Sequence, residues 1–262
     1  MNKRPLIVIS NDDGVHAKGI RTLIDIAKKH GEIIAVAPDT EQSGKSHAMT
    51  VADPMKLKLV SEEPGVRFFS CNGTPVDCSK MAMKAIAERT PDLVISGINH
   101  GTNVGTNVFY SGTVGIAIDA AIEGIPSIGF SLCSYTADAD FSETEEYIDC
   151  ILGKVLDNIS SFPKGLCLTV NFPYKPEGGI KGMKVCSLSQ GKWYEVYEKR
   201  MRPGVNIPYY WITGFYEEKD IKPNSEMKVL ADGYVSIVPL KIDITFDEHK
   251  KMLGSLLGVD VL

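Results

Sequence analysis

A chain of 262 residues, 44% apolar and 23% charged, can bury a substantial core, which excludes a disordered chain or a mini-protein that depends on staples. A net charge of −5 with no long basic run speaks against a nucleic-acid duplex as partner, although a metal ion could invert the field of an acidic pocket and admit a small anion. The six cysteines form no C-x-x-C pair and several sit in apolar runs, so they read as reduced thiols rather than a zinc site or a disulfide framework. No segment is long enough to span a bilayer, and the apolar run near the amino terminus is too short for a signal peptide; a cytoplasmic protein without a membrane partner is expected.

Leu6-Ile7-Val8-Ile9 is an uninterrupted branched apolar run, which suits a strand covered on both faces. Ile20, Leu23, Ile24 and Ala27 then recur at helical spacing, with Gly31 as a stop, and Ile33 to Ala37 forms a second strand. Strand, helix, strand within this short span is a βαβ unit, so the two strands should be parallel. Thr74, Pro75 and Asp77 have the pattern of a helix cap, a first-turn proline and an acidic third position. Leu93 to Ile95 is another strand, Val114 to Ile122 a helix stopped by Gly124, and Ser127 to Leu132 a strand. Ser142 and Glu145 suggest a capping box opening a helix to about Asn158, followed by a strand from Leu166 to Val170. This alternation defines an open α/β sheet over residues 1–172.

Beyond Pro173 the pattern changes. Aromatics cluster from Trp193 to Tyr216, and strands alternate with turns rather than helices, so residues 173–262 read as β-hairpin and tail material for oligomerisation, plus one late core strand. The aromatics fit a core or a subunit interface better than a base-stacking platform.

Ligands of an open parallel sheet bind at the carboxyl ends of its strands. Three oxygen-rich loops fall there: Ser10 to His16, Asp39 to His47, and Ser96 to Thr113. In the first, Asn11-Asp12-Asp13-Gly14 is turn chemistry, which can bring two carboxylates to one point, where they repel unless a cation lies between them. A solvated turn is the plain alternative. Ser43 and Asn99 would add a hydroxyl and a carbonyl oxygen, and an all-oxygen set favours Mg²⁺ or Mn²⁺, with Ca²⁺ as a further possibility, over zinc or copper. Ser111-Gly112-Thr113 opens a helix whose free amides could hold a phosphate. His16, His47 and His100 also lie in these loops and read as exposed loop residues.

Ile9-Ser10-Asn11-Asp12-Asp13-Gly14, Ala37-Pro38-Asp39 leading to Ser43-Gly44, Asn72-Gly73-Thr74-Pro75-Val76-Asp77-Cys78, Ser96-Gly97-Ile98-Asn99-His100-Gly101, Tyr110-Ser111-Gly112-Thr113-Val114 and Gly233 to Leu240 together resemble the survival protein SurE family. These matches run from residue 6 to residue 240. The resemblance implies a metal-dependent 5′- and 3′-nucleotidase with a Rossmann-like fold, whose carboxy-terminal hairpin and tail are exchanged in a homodimer or homotetramer. It implies Asp12, Asp13, Ser43 and Asn99 as metal ligands, and Asn103 and Ser111 at the phosphate site. Asn107 and Asp119 depart from the aspartate and glutamate usual in the family, which touches local hydrogen bonding rather than the ligand set.

The expected function is therefore hydrolysis of a nucleoside monophosphate at one divalent metal. The phosphate would lie near Ser111, Gly112, Thr113 and Asn103. Asp12 is the candidate catalytic carboxylate, orienting the attacking water or taking its proton; covalent attack by Asp12 is the rival mechanism. A non-catalytic nucleotide-binding module is the competing class, but neither G-x-G-x-x-G nor G-x-x-x-x-G-K-[ST] is present to support it.

Overall fold

The computed structural model describes residues 4–219 and 221–261. Eleven strands and six helices alternate through much of the chain: β1 (Leu6–Ser10), α1 (Lys18–Ala27), β2 (Glu32–Pro38), β3 (Leu57–Glu63), β4 (Val66–Cys71), α2 (Pro75–Met81), β5 (Leu93–His100), α3 (Gly112–Ile122), β6 (Ser127–Leu132), α4 (Ser142–Asp157), β7 (Leu166–Phe172), β8 (Met183–Val185), β9 (Lys192–Met201), β10 (Pro208–Glu217), α5 (Glu226–Ala231), β11 (Val235–Lys241) and α6 (Lys250–Leu257). Nine strands form one sheet in the order β3-β4-β2-β1-β5-β6-β7-β11-β8. The run from β4 to β7 is parallel, while β3 and β11 are antiparallel to their neighbours β4 and β7.

Helices cover both faces, as the unbroken apolar strands require. Ile7 and Ile9 of β1 point into a core shared with α1 and α4, built on Ile20, Leu23, Ile148 and Leu152. Leu6 and Val8 point to the other side, against Cys78, Ala82, Ile116 and Ala120 of the α2 and α3 layer. From β1 the chain turns first to β2 on one side and later to β5 on the other, with Ile9 paired to both Ala35 and Ile95. The crevice between those two crossovers is where such a sheet receives its ligand.

Several sequence readings differ from the structure in detail. The capping box at Ser142 and Glu145 does not form; Phe141 precedes the helix and the Asp140 carboxylate takes the Ser142 N–H at 3.0 Å. By contrast, Thr74 and Asp77 make the reciprocal box expected of them. The β3–β4 pair was not legible because β3 is largely exposed and its short apolar start, Leu57 to Val60, gives way to charged residues across a register shift. The region after residue 173 contains two helices, α5 and α6, and both β8 and β11 rejoin the main sheet. Among the described residues only β9 and β10 form a separate two-stranded ribbon, paired from Lys192–Glu217 to Met201–Pro208.

Candidate active site

The first loop is closed by Asn11, whose side-chain amide donates to the Gly14 carbonyl at 3.0 Å. This turn leaves Asp12 buried and Asp13 half-buried, side by side on the floor of a cleft of ≈ 940 Å³. Asp12 has defined partners. One carboxylate oxygen accepts the Gly112 N–H at 3.0 Å and the other accepts the Thr113 hydroxyl at 2.6 Å. A side chain at position 112 could not be tolerated, because a Cβ there would come within 2.7 Å of the Asp12 Cβ. The anion held at the α3 amino terminus is thus Asp12 itself.

Gly112 and Thr113, expected to bind phosphate directly, here turn donors toward Asp12. The Gly112 amide and the Thr113 hydroxyl are both engaged by Asp12, and Thr113 is fully buried. Ser111 caps α3 by accepting the Val114 N–H at 3.1 Å and still faces the cleft, so its own proton remains available for donation. Asn103 lines the cleft as well; its amide donates to Ser131 at 2.8 Å, and its backbone N–H donates to Asn171 at 2.9 Å.

Burial pushes the Asp12 carboxyl up to about 6, and the Asp13 charge adds to that against the opposing Thr113 hydroxyl. Asp13 accepts from the His100 backbone N–H and faces the His100 Nδ1, each at 3.2 Å. Asn99 lies at the end of β5, beyond a register shift between Ser96 and Asn99 that re-aims the strand. Its amide nitrogen donates to the Gly101 carbonyl at 2.9 Å, which orients the group and leaves the side-chain oxygen as a free acceptor. Ser43 comes from the loop after β2, whose Gln42 N–H is tied to the Asp12 carbonyl at 2.8 Å. The Ser43 hydroxyl donates to Glu41 at 2.8 Å, which leaves its oxygen lone pairs for a cation.

The four sequence-predicted ligands therefore border one cleft. Among the described residues no three His, Cys, Asp or Glu side chains cluster as a metal site, and the set here combines two carboxylates with a hydroxyl and an amide. That chemistry fits a hard divalent cation, and the elevated carboxyl of Asp12 beside Asp13 is the strain such a charge would relieve.

Sequence reasoning missed three features. Glu41 as the acceptor for Ser43 carried no motif. His47 and His100 are half-buried and pair with Asp119 and Asp13, whereas only His16 of the three loop histidines is exposed. The far wall of the cleft is formed by the hairpin, with Trp193, Tyr197 and Ile212 facing Tyr110 and Tyr135. Period-two alternation along β9 could have found Trp193 and Tyr197 on one face. A smaller cavity of ≈ 460 Å³ lies near the start of β2 and β4, around Glu32 and Arg67, and brings together no comparable donor set.

Thr113→Val gives a direct check on this floor. The substitution keeps the volume but removes the hydroxyl on Asp12, and Mn²⁺ affinity measured by calorimetry should fall by about tenfold, the usual range for residues that orient a ligand. An unchanged affinity would show that Thr113 does not set the Asp12 geometry.

A doubly wound α/β sheet whose switch point gathers paired aspartates, a hydroxyl and an amide at one cleft defines the class of this chain. The model of the family described as Survival protein SurE matches residues 7–195, and the chain belongs to that family. It is similar to the 5′-nucleotidase SurE of Christiangramia forsetii, with 46% identity over 97% of both chains, and to the 5′-nucleotidase SurE of Bacteroides thetaiotaomicron, with 42% identity over 93% of each. The crystal structure of the SurE protein from Aquifex aeolicus superimposes with a TM-score of 0.80 at 33% identity, covering 97% of this chain and all of that one.

Proposed function

We propose that the protein is a phosphoric monoester hydrolase that releases phosphate from nucleoside 5′-monophosphates, using one divalent cation held by Asp12, Asp13, Ser43 and Asn99. The observation that carries this reading is the buried Asp12, pinned by Gly112 and Thr113 beside Asp13 at the switch point of the sheet. The names of the relatives, 5′-nucleotidase SurE, agree with it. A cation held there would polarise water and neutralise charge on the transferring phosphoryl group. Asp12 is locked by its two donors and keeps a fixed direction toward the cleft, and it is the group able to orient a water or accept its proton. Ser111 and Asn103 line the same cleft, and the Ser111 hydroxyl and the second N–H of the Asn103 amide would hold phosphate oxygens. Lys18, also on the cleft wall, adds positive charge for an anionic substrate. The aromatic wall of Trp193, Tyr197 and Tyr110 suits a base stacked above the ribose.

Mg²⁺ or Mn²⁺ is the cation we favour. Residues 1–172 carry the chemistry in this reading and residues 173–262 mediate assembly, a role supported by exposed apolar side chains such as Ile244 and Leu256 near the carboxyl end. No helix among the described residues is long and apolar enough to cross a membrane. The six free cysteines suit a reducing, cytoplasmic setting.

The test is phosphate release from a panel of nucleoside 5′- and 3′-monophosphates with Mg²⁺, with Mn²⁺ and with EDTA. We expect EDTA to abolish turnover and Mn²⁺ at a hundred times its dissociation constant to stabilise the fold by about 2.7 kcal/mol. Turnover that persists in EDTA would overturn the metal assignment. Tight nucleotide binding without turnover would favour a binding module instead.

A further inference from the structure

The loop from residue 39 to residue 50 carries Ser43 to the cleft, yet it lies outside the sheet and is exposed over much of its length. Its head is fixed by the Gln42 N–H on the Asp12 carbonyl. Ser46 occupies a left-handed backbone conformation at φ 55°, which a residue with a side chain holds only when its surroundings impose it. The surroundings here are the segment just before α3 and α3 itself. Ser46 donates from its backbone N–H to the Tyr110 carbonyl at 3.1 Å and from its hydroxyl to the Phe109 carbonyl. Its own carbonyl lies against Gly115, where an added Cβ would come within 2.8 Å of that oxygen.

One residue further on, His47 Nε2 meets Asp119 Oδ1 at 3.1 Å. Asp119 stands two helical turns after Gly112 on α3, so the same helix that clamps Asp12 at its amino terminus holds His47 farther along. Asp119 is 2% exposed. Lys80 of α2 approaches the same oxygen at 2.9 Å, and Asp119 Oδ2 is buried without a partner. Burial pushes the Asp119 carboxyl up, but the hydrogen bonds and charges of His47 and Lys80 outweigh it and hold the group below its ordinary value. Burying a carboxylate against a surface loop is costly unless it is paired.

We propose that His47 and Asp119 are positioning residues for the cation site, clamping the 39–50 loop to α3 so that Ser43 is held at the cleft together with Asp12. This rests on the metal-dependent reading given above. The pair touches neither Ser43 nor the substrate; it acts through the three residues between Ser43 and His47, namely Gly44, Lys45 and Ser46. Lys80 serves as the brace that keeps Asp119 charged and pointed at the loop. The consequence is specific: loosening the clamp costs cation affinity and leaves the chemistry of the filled site intact.

The test uses the full chain and Mn²⁺ alone as the probe. In His47→Ala, calorimetric Mn²⁺ affinity should fall about tenfold. Hydrogen exchange should quicken in residues 40–48, and kcat should return to the wild-type level at saturating Mn²⁺. His47→Gln, which keeps a donor toward Asp119, should restore affinity. Asp119→Asn should resemble His47→Ala, and if it fails to fold, the two His47 variants decide the matter alone. Unchanged Mn²⁺ affinity in His47→Ala, or lost kcat that saturating Mn²⁺ does not restore, would overturn the clamp. A wild-type protein that neither binds Mn²⁺ nor hydrolyses nucleotides would instead overturn the functional reading on which it rests.

Discussion

Asp12→Asn is expected to abolish metal-dependent phosphate release while raising the melting temperature of the metal-free protein at pH 8. The folded state holds the Asp12 carboxyl at about 6 against an ordinary 3.8, with burial the larger cause and the Asp13 charge the second. A group whose pKa is raised by folding stabilises the native state below its unfolded value, and that contribution is lost as the pH climbs through the folded value. For Asp12 the window runs from about pH 4 to about pH 7. At roughly 1.4 kcal/mol per unit, the charged carboxylate costs the metal-free fold on the order of 3 kcal/mol at pH 8. An asparagine keeps an acceptor for the Gly112 amide, and the Thr113 hydroxyl can turn to accept from its new amino group. Removing the charge should therefore raise Tm by several degrees, at about 2–4 °C per kcal/mol for a domain of this size. Activity should fall by more than about 100-fold, the upper end seen when only an outer residue of a metal site is removed. Equal melting temperatures at pH 8 would show that Asp12 is not held under strain.

The second large effect concerns Glu226, at the start of α5. One of its oxygens accepts the Gly105 N–H at 2.7 Å and the Ser189 N–H at 3.0 Å, which ties the loop before α3 to the base of the hairpin. Its other oxygen is buried without a partner, as is one oxygen of Glu218. Burial raises the Glu226 carboxyl to about 7 from 4.5, with the Glu218 charge adding to it against the two amide donors. The sign is the same as for Asp12, but the window lies higher, with stability lost as the pH rises from about 5 to about 8. Glu226→Gln keeps the acceptor for both amides and offers an N–H₂ in place of the charge. It should flatten the fall of Tm between pH 5.5 and pH 8.5 and remove a cost on the order of 3 kcal/mol at the alkaline end. Glu226→Ala leaves two buried amides unpaired and should be destabilising by about 2–5 kcal/mol, with faster hydrogen exchange at residues 105 and 189. A Gln variant that keeps the wild-type pH profile would show that Glu226 does not titrate in this window.

The sequence made the central sheet legible because β1, β2, β5 and β6 are covered on both faces, and their side chains therefore read as continuous apolar runs. Thr74 and Asp77 announced α2 because a capping box is a local device. The α4 box failed because Asp140, before the helix, takes the Ser142 amide instead. β3 escaped notice because an exposed antiparallel edge strand needs no apolar pattern. At the site, the Asp12-Asp13 turn and the ligand loops could be placed by the rule that ligands bind at strand ends. The partnership of Asp12 with Gly112 and Thr113 could not, since it joins residues 100 and 101 positions apart that only the fold brings together. The same holds for His47 with Asp119, and for Glu226 with Gly105.

The ribbon of β9 and β10 also has an optical consequence. The chain contains two tryptophans, Trp193 and Trp211, and both lie on this ribbon. Residues directly opposite across an antiparallel pair share a face, so Trp211 goes with its partner Glu198, on the side away from Tyr197 and Ile212. Trp193 faces the cleft, whereas Trp211 faces outward. All of the tryptophan emission therefore originates on one wall of the site. A base stacking against Trp193 would quench one indole, while the other reports the unperturbed ribbon within the same spectrum.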